Sequence, residues 1–448
     1  MKIAGLPDAT VAPLIRAITD NHDDPARIGD MFARSAWSGI AEPGDRDAGI
    51  LIAALGALPA LELVTAGADV RQLLDVVSDA DEAAADLGPK VWTEALARWA
   101  PRVSSTTALR GLTQAARFGC RLLAPGDELW PEGLDDLGVH SPPVLWVRGN
   151  PAHLATLEKA IAIVGARAAT AYGEHVTVES ASGLVDRGFA IVSGAAYGID
   201  GVAHRAALAS QGTTVAVLAG GLDRFYPSGH EQLLTRIIDR GVVVAEVPCG
   251  TVPTRWRFLL RNRLIAAMSK ATVVVEAGWR SGSINTAGHA ADLGRPIGAV
   301  PGPVTSSASS GCHRLLREYQ AICVTNADEM AELVSGMETK APPRSDPAEA
   351  HDDTLKVRLA PRRNAGTPSH ATDPPPPPVL EPSPEGRRVL DALSARSAHG
   401  VDRIAALSGL ATDRVRAEMG VLQLGGQVRE TASGWLRRVV SRGATEEQ

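Results

Sequence analysis

Several things are scarce in this sequence, and each shortage excludes a class of protein. No apolar run in the 448 residues reaches the roughly 18 residues of a membrane span, so a transmembrane protein is not expected. The formal charge of −6, from 45 basic and 51 acidic residues, excludes a wholly basic nucleic-acid binder but not a local basic patch. Only six basic residues are Lys and 39 are Arg. This bias suits phosphate and base contacts, and a genome rich in arginine codons explains it equally well.

Cysteine is also scarce. The four cysteines, Cys120, Cys249, Cys312 and Cys323, show no CxxC spacing, so neither a disulfide framework nor a zinc site is predicted. The sequence does not begin with a charged stretch followed by an apolar one, so no signal peptide is expected. The cytoplasm is therefore the predicted compartment.

The first 120 residues divide into two predicted segments. Residues 1–44 are poorly patterned, and Met31 is an alternative start that intact-mass analysis of native protein would identify. Residues 45–120 predict a small helical domain. Apolar residues recur there at helical spacing in 50–58, 70–77 and 91–99.

Residues 121–336 predict an α/β domain. Short β-branched runs alternate there with stretches that suit helices. The predicted strands are 160–164, 189–192, 214–218, 242–245, 271–275, 297–300 and 321–324, with a further one at 144–147. Most are apolar throughout, which is typical of strands buried on both faces of a sheet. The pattern predicts a doubly wound, mostly parallel sheet with helices on both sides.

The C-terminal part predicts a linker and a third domain. Residues 337–383 form a Pro-rich linker, with twelve prolines between Ala341 and Pro384, and such composition stays extended. Residues 384–440 predict three helices and a hairpin, which is typical of a winged helix. The third helix and the hairpin carry Arg414, Arg416, Arg429, Arg437 and Arg438. DNA contact and protein contact explain these arginines equally well.

Glycine is concentrated where predicted strands end. The Gly-rich loops are 165–173, 193–201, 220–229, 278–288 and 301–311. The carboxyl ends of parallel strands meet at one sheet edge, where ligands bind. Glycine lets the backbone approach an anion closely, and Ser283 or Thr286 either caps a helix or donates to a phosphate. Five loops at one edge favour an anion-binding crevice over simple tight turns. Because the first loop lacks GxGxxG and no Walker A lysine occurs, no cofactor is predicted.

A basic segment follows the third of these loops. Within nine residues it contains Arg255, Arg257, Arg261 and Arg263, interleaved with Trp256 and Phe258. Arginines beside aromatic rings suit single-stranded nucleic acid, whose backbone is anionic and whose bases stack. A solvated helix face with core aromatics explains the segment equally well when it is taken alone. Next to an anion crevice, the nucleic-acid interpretation is favoured.

Four titratable residues are candidates for catalysis. Asp200 and His204 stand at i, i+4, but no G-x-S-x-G elbow and no third metal ligand accompanies them. A helix-capping Asp and a helix-start His are favoured. Glu246 and Glu276 end strands at the same edge and fit either an acid/base pair or carboxylates that accept from loop N–H groups. No catalytic residue and no metal is predicted.

A series of motifs then resembles a known family. The motifs are Leu123-Ala124-Pro125-Gly126-Asp127, Trp130-Pro131, Pro142-Pro143-Val144-Leu145-Trp146-Val147-Arg148-Gly149, Ile163-Val164-Gly165-Ala166-Arg167, Ser193-Gly194-Ala195-Ala196-Tyr197-Gly198-Ile199-Asp200, Ala203-His204, Gly221-Leu222-Asp223, Tyr226-Pro227, Arg261-Asn262-Arg263-Leu264-Ile265, Ser281-Gly282-Ser283, Thr286-Ala287, Pro301-Gly302 and Gly311-Cys312-His313. In order and spacing they resemble the DNA-processing protein A (DprA, or Smf) family. The resemblance covers about residues 121–330, and many members also carry a C-terminal winged helix.

The resemblance implies an extended Rossmann-like fold that binds single-stranded DNA. Members protect incoming strands during natural transformation and help to load the RecA recombinase. They act as homodimers and are not known as enzymes. The DNA-binding residues predicted on this basis are Gly165, Arg167, Gly194, Gly198, Arg257, Arg261, Asn262, Arg263, Ser281, Gly282, Ser283 and Thr286.

Two alternatives remain open at this point. One is a Rossmann-like nucleotide phosphoribohydrolase, whose Pro-Gly-Gly-x-Gly-Thr loop is followed by a Glu. The comparable loop here, from Ser281 to Thr286, has no such Glu. The other is an interaction protein in which the winged helix and linker recruit partners. Deletion of residues 341–448 distinguishes this case, because a Rossmann binding module would retain its DNA binding.

Overall fold

The computed structural model describes residues 2–20, 24–80, 87–335 and 381–438. A short hairpin of β1 (Lys2–Ile3) and β2 (Leu6–Pro7) comes first. The helices that follow are α1 (Asp8–Arg16), α2 (Pro25–Ile40), α3 (Arg46–Leu55), α4 (Ala57–Thr65), α5 (Val70–Ala80), α6 (Pro89–Trp99) and α7 (Ser105–Arg117). A 3₁₀ turn, Ala100–Arg102, separates α6 from α7.

The first 44 residues are not the unpatterned segment that the sequence suggests. They contain α1 and α2, which pack in one core with the helices after residue 45, and Met31 is buried within α2. Trp37 of α2 meets Trp99 edge-to-face at 5.2 Å. The buried face of α2 includes small residues, such as Gly29 and Ala33, beside its large apolar ones. The boundary at residue 44 therefore divides one packed unit.

A glycine divides the first predicted helix of this region. The apolar stretch 50–58 is interrupted at Gly56, whose φ of +85° ends α3 and starts α4 at an angle of 113°. No single helix among the described residues has the length and apolar character of a membrane span; α3 and α4 meet that test only as a bent pair.

The next 215 residues form a nine-stranded sheet flanked by helices. Its strands are β3 (Arg121–Leu123), β4 (Leu145–Gly149), β5 (Ala160–Val164), β6 (Ala190–Ser193), β7 (Thr214–Leu218), β8 (Val242–Ala245), β9 (Ala271–Val274), β10 (Ile297–Ala299) and β11 (Ile322–Cys323). The helices are α8 (Ala171–Asp186), α9 (Ile199–Ala209), α10 (Glu231–Arg240), α11 (Arg255–Ala267), α12 (Gly282–Asp292), α13 (Ser310–Glu318) and α14 (Ala327–Ser335).

The strand order is β11-β10-β9-β5-β6-β7-β8-β4-β3. In this order, the seven strands from β11 to β8 are all parallel to their neighbours. The next strand, β4, is antiparallel to both β8 and β3. Alternate residues of β5 enter different cores: Ile161 and Ile163 pack on one face, and Ala162 and Val164 on the other. The predicted doubly wound, mostly parallel sheet is confirmed.

The strand order also contains a reversal that bears on ligand binding. The chain builds β5 to β8 in one direction, then returns to place β9 on the other side of β5 and continues to β11. In open α/β sheets, ligands bind outside the carboxyl ends of the strands at such a switch point. The loops after β5 and β9 flank that position here.

The C-terminal domain is the predicted winged helix. It consists of α15 (Pro384–Ala392), α16 (Val401–Ser408), α17 (Thr412–Leu424), β12 (Val428–Thr431) and β13 (Gly434–Arg437), with its own apolar core. The predicted Pro-rich linker lies, up to residue 380, outside the described residues. Arg388 of α15 stacks on Trp256 of α11 at 4.9 Å, so this domain contacts the start of the basic helix.

Candidate nucleic-acid interface

The five Gly-rich loops follow β5, β6, β7, β9 and β10, and therefore lie along one edge of the sheet. Two glycines permit close approach there. A Cβ on Gly198, whose φ is +73°, would lie 2.2 Å from the carbonyl oxygen of Ala166. A Cβ on Gly194 would lie 2.0 Å from a guanidinium nitrogen of Arg261. Both positions need glycine for the loops and α11 to meet.

Arg167 is an exposed cation at this edge, in the loop after β5. Its guanidinium carbon lies 5.1 Å from the centre of the Phe258 ring. Arg261 lies 5.9 Å from the same ring. Within the described ranges Arg167 forms no ion pair. Two cations therefore flank one ring, and only one of them is open to solvent.

Arg261 supplies fixed positive charge beneath the loops. It is 5% exposed and donates to the carbonyl oxygen of Val217 at 2.5 Å. Burial lowers its pKa to about 10, Asp200 opposes that shift, and the charge of Arg167 adds to it. At neutral pH the buried guanidinium remains a cation, so it acts on the crevice through its field rather than by reaching an exposed ligand.

The pair Asp200 and His204 is structural. Asp200 accepts hydrogen bonds from the N–H groups of Gly194 (3.2 Å) and Ala196 (3.4 Å), and so fixes the loop after β6. His204 is fully buried with Nδ1 2.7 Å from Thr214 Oγ1, and burial lowers its pKa to about 3. The favoured sequence interpretation, a helix-capping Asp and a helix-start His, is right only in giving both residues structural roles. Asp200 bonds loop N–H groups and does not cap α9, and His204 lies in the middle of that helix.

Two arginines of the predicted DNA-binding set are held by carboxylates. Arg263 forms a two-pronged ion pair with Glu246, at 2.7 Å for each contact, and is 5% exposed. Arg257 donates to Glu42 at 2.8 and 3.2 Å and is 7% exposed. This geometry does not support direct phosphate contact by either residue; both fix α11 in place.

The two strand-end glutamates are engaged as well. Glu276 accepts from the N–H of Thr170 (2.9 Å) and from its hydroxyl (2.6 Å), which joins the loops after β9 and β5. Glu246, besides its pair with Arg263, accepts from the N–H of Gly44 at 3.1 Å. The sequence left two interpretations of these glutamates open. The geometry favours carboxylates that accept hydrogen bonds from loop groups over an acid/base pair.

The start of α12 lies at the same edge of the sheet. Ser281 caps the helix by accepting from the N–H of Ser283 (3.4 Å), and Gly282 is exposed with open space around its Cα. Asn262 donates to the Gly282 carbonyl at 3.2 Å, which ties α11 to this turn. Ser283 and Thr286 are buried. Ser281 and Gly282 are therefore the members of this group placed for direct contact.

Sequence reasoning missed two exposed arginines, Arg224 and Arg280. Arg224 borders a cavity of about 10 Å³ at the ends of β6 and β7, together with Tyr226 and Phe258. The Tyr226 and Phe258 rings lie 5.4 Å apart. Both arginines lie in predicted Gly-rich loops. An arginine within such a loop is therefore a better sequence signal for a solvent-exposed cation than the density of arginines along α11.

The winged-helix arginines remain open to both interpretations. Arg414 of α17 donates to Glu385 at 2.5 Å, while Arg416, Arg429 and Arg437 are exposed. The domain contacts α11 through Arg388 of α15. The outward face of α17 is exposed, so either DNA or protein can meet it.

Comparison with known proteins agrees with this architecture. The DNA recombination-mediator protein A family matches residues 121–335, and the DprA winged helix domain matches residues 373–434. The putative DNA processing protein DprA of Mycobacterium tuberculosis is 46% identical over 339 residues, which cover 73% of this chain and 79% of that protein. Protein Smf of Escherichia coli is 41% identical over 192 residues, 43% of this chain and 50% of its own length.

A solved structure gives the same assignment. The X-ray structure of DNA processing protein A from Streptococcus pneumoniae aligns with a TM-score of 0.51 and 29% identity, covering 67% of this chain and 95% of that one. These matches show that the chain belongs to the DNA-processing protein A (DprA) family of recombination mediators.

Proposed function

We propose that the crevice at the carboxyl ends of β5, β6 and β7 binds single-stranded DNA. The observation that carries the proposal is Arg167, an exposed guanidinium that stacks on Phe258 and has no carboxylate partner among the described residues. The buried cation Arg261 next to the same ring adds to the field. A phosphate is the natural counter-charge, because its oxygens accept from the guanidinium fork.

Single strands fit this crevice better than duplex does. Half-exposed Tyr226 offers a ring face, and a base can stack on such a face only when it is not enclosed in a double helix. The loops also offer backbone N–H groups, which contact phosphates without reading sequence. The expected ligand is therefore single-stranded DNA bound with little sequence preference.

The cellular role that we propose follows from membership of the family. The chain would protect incoming single strands during natural transformation and help RecA to assemble on them, acting as a homodimer. The free face of the winged helix is compatible with a partner contact in this role. On this proposal, loss of strand binding at Arg167 also reduces RecA assembly on strands that the protein has covered.

The test compares Arg167→Ala with Arg240→Ala, using labelled single-stranded and duplex DNA across a salt series. Arg240 is a matched control because it is exposed and lies just before β8, at the opposite edge of the sheet. Wild type and Arg240→Ala should prefer single strands. Arg167→Ala should bind them about tenfold more weakly, with the log–log salt slope reduced by about 0.7 because one phosphate contact is lost.

Two outcomes would contradict the proposal. Equal binding by all three proteins would remove Arg167 from the site. A folded wild type that binds no single strand, but releases a free base from purine nucleoside monophosphates, would favour the phosphoribohydrolase alternative. Thermal unfolding of each variant shows whether a loss of DNA binding is caused by a loss of folded structure.

A further inference from the structure

We propose a second nucleotide subsite at Trp279, across the switch point from Arg167, in which one DNA base stacks on the indole and its phosphate meets the start of α12. This inference rests on the proposed binding of single strands and extends it to Trp279, a residue that the sequence motifs did not mark, beside Ser281 and Gly282, which they did. It concerns a ring, a cation and a helix N-terminus that follow one another along the chain.

The ring is exposed yet held in place. Trp279 is 52% exposed, and the guanidinium carbon of Arg314 lies 5.3 Å from its centre. Glu318 fixes that guanidinium through a 2.7 Å contact. A cation–π contact of this kind orients the indole, while half of the ring surface stays open. A large apolar surface left open in this way favours a ligand with a flat face.

Two backbone hydrogen bonds hold the loop that carries Trp279. The N–H of Ser281 donates to the Gly278 carbonyl at 3.0 Å, which closes a turn around the tryptophan. The N–H of Gly311 donates to the Ala277 carbonyl at 2.7 Å, and this bond anchors the loop to the start of α13. A preorganised ring costs little entropy on binding, so stacking on it contributes more of its gross energy to affinity.

Phosphate-binding groups adjoin the ring. Arg280 is exposed and forms no ion pair with any described residue, and Gly282 opens the N-terminus of α12 with space around its Cα. Helix N–H groups and the positive end of the helix dipole attract anions. Ring, cation and helix start lie within four residues, which suits one nucleotide with its base and its phosphate.

The position of this group relates it to the Arg167 crevice. Glu276 accepts from Thr170, so the loop with Trp279 and the loop with Arg167 are joined three residues from each of them. The two loops flank β5 and β9, where the topology places ligands. A strand that contacts Arg167 and continues toward β10 meets Trp279.

The test uses the full chain with Trp279→Leu and Trp279→Phe. Two oligomers of equal length are compared, one of deoxythymidylate and one with abasic sites, so that charge is constant and only bases differ. Trp279→Leu should weaken deoxythymidylate binding about 5- to 150-fold, the usual range for one lost stacking contact. Trp279→Phe should retain most of the affinity. Binding of the abasic oligomer and the salt slope should not change in either variant.

The remaining outcomes are distinguishable. If Trp279→Leu weakens both oligomers equally, the ring supports the loop and the stacking proposal is wrong. If it weakens neither, the ring is not on the DNA path, and its exposure would point to a protein contact instead. If the wild type binds neither oligomer, the proposed function itself fails, independently of Trp279.

Discussion

The arginines of α11 and those of the crevice loops look alike in the sequence but differ in their surroundings. Arg257 and Arg263 are buried, and each is held by a carboxylate from another part of the chain. Arg167, Arg224 and Arg280 are exposed in Gly-rich loops without a carboxylate partner among the described residues. In a chain with 39 arginines, local density does not locate an anion site. The informative property is whether a guanidinium already has its counter-charge.

The buried arginines of α11 and the exposed arginines of the loops should differ most in their contribution to the free energy of unfolding. Arg263→Ala leaves Glu246 buried and unpaired and should lower the free energy of unfolding by about 3–5 kcal/mol. Arg167→Ala should change it by no more than about 0.5 kcal/mol, because an exposed side chain that has no ion-pair partner contributes little. Chemical denaturation of the full chain at neutral pH measures both.

A double variant serves as the control for this prediction. Glu246→Leu combined with Arg263→Met removes both charges and should recover much of the lost stability, since an apolar pair of similar volume replaces the ion pair. Similar stability losses for Arg263→Ala and Arg167→Ala would show that the two groups of arginines do not differ as described.

A second, smaller effect concerns Glu42, which joins three parts of the molecule. It accepts from Arg257 and from Arg102 (2.9 Å), and the charge of Arg388 in the winged helix also acts on it. Burial alone would raise the pKa of Glu42, but these guanidiniums outweigh burial and hold that pKa below its ordinary value of 4.5. The ionised carboxylate therefore stabilises the folded chain.

Glu42→Gln should cost about 1–3 kcal/mol at pH 7, because the amide keeps some hydrogen bonds but leaves buried cations unbalanced. Glu42 stabilises the fold at pH values above about 4.5, its ordinary pKa, and this contribution is lost as pH falls through the lower folded pKa. The stability difference between wild type and variant should thus disappear in acid. Glu94→Gln, at an exposed position on α6, is the matched control. A difference that persists at low pH would contradict the charge argument.

The sheet and the loops could be predicted because their signals are local. Apolar β-branched runs matched β5, β7 and β8 residue for residue, and the glycines marked the loops at their ends. Partners distant in sequence have no local signal: Glu42 is 215 residues from Arg257. The basic segment therefore predicts a DNA surface from its sequence, whereas three of its four arginines are buried in the folded chain. Trp279 belongs to no periodic pattern, so only its exposure in the folded chain distinguishes it.

The smallest predicted effect compares two neighbours on α11. Arg255 is exposed and occupies the first position of the helix, where the dipole disfavours a cation and the first turn has no acidic residue. Arg257, two residues later, is buried against Glu42. The same substitution at these two positions should act on different properties, binding in one case and stability in the other.

Arg255→Ala should weaken single-strand binding only about two- to fivefold and lower the salt slope by about 0.7, as for one phosphate contact. It should leave stability unchanged or raise it by up to about 1 kcal/mol, because a cation is removed from the positive end of the helix. Arg257→Ala should lower stability instead. The sign of the stability change in Arg255→Ala is decisive. Unchanged or higher stability means that Arg255 has no counter-charge within the folded chain, so a DNA phosphate can supply one. Lower stability would mean that the protein already provides the partner.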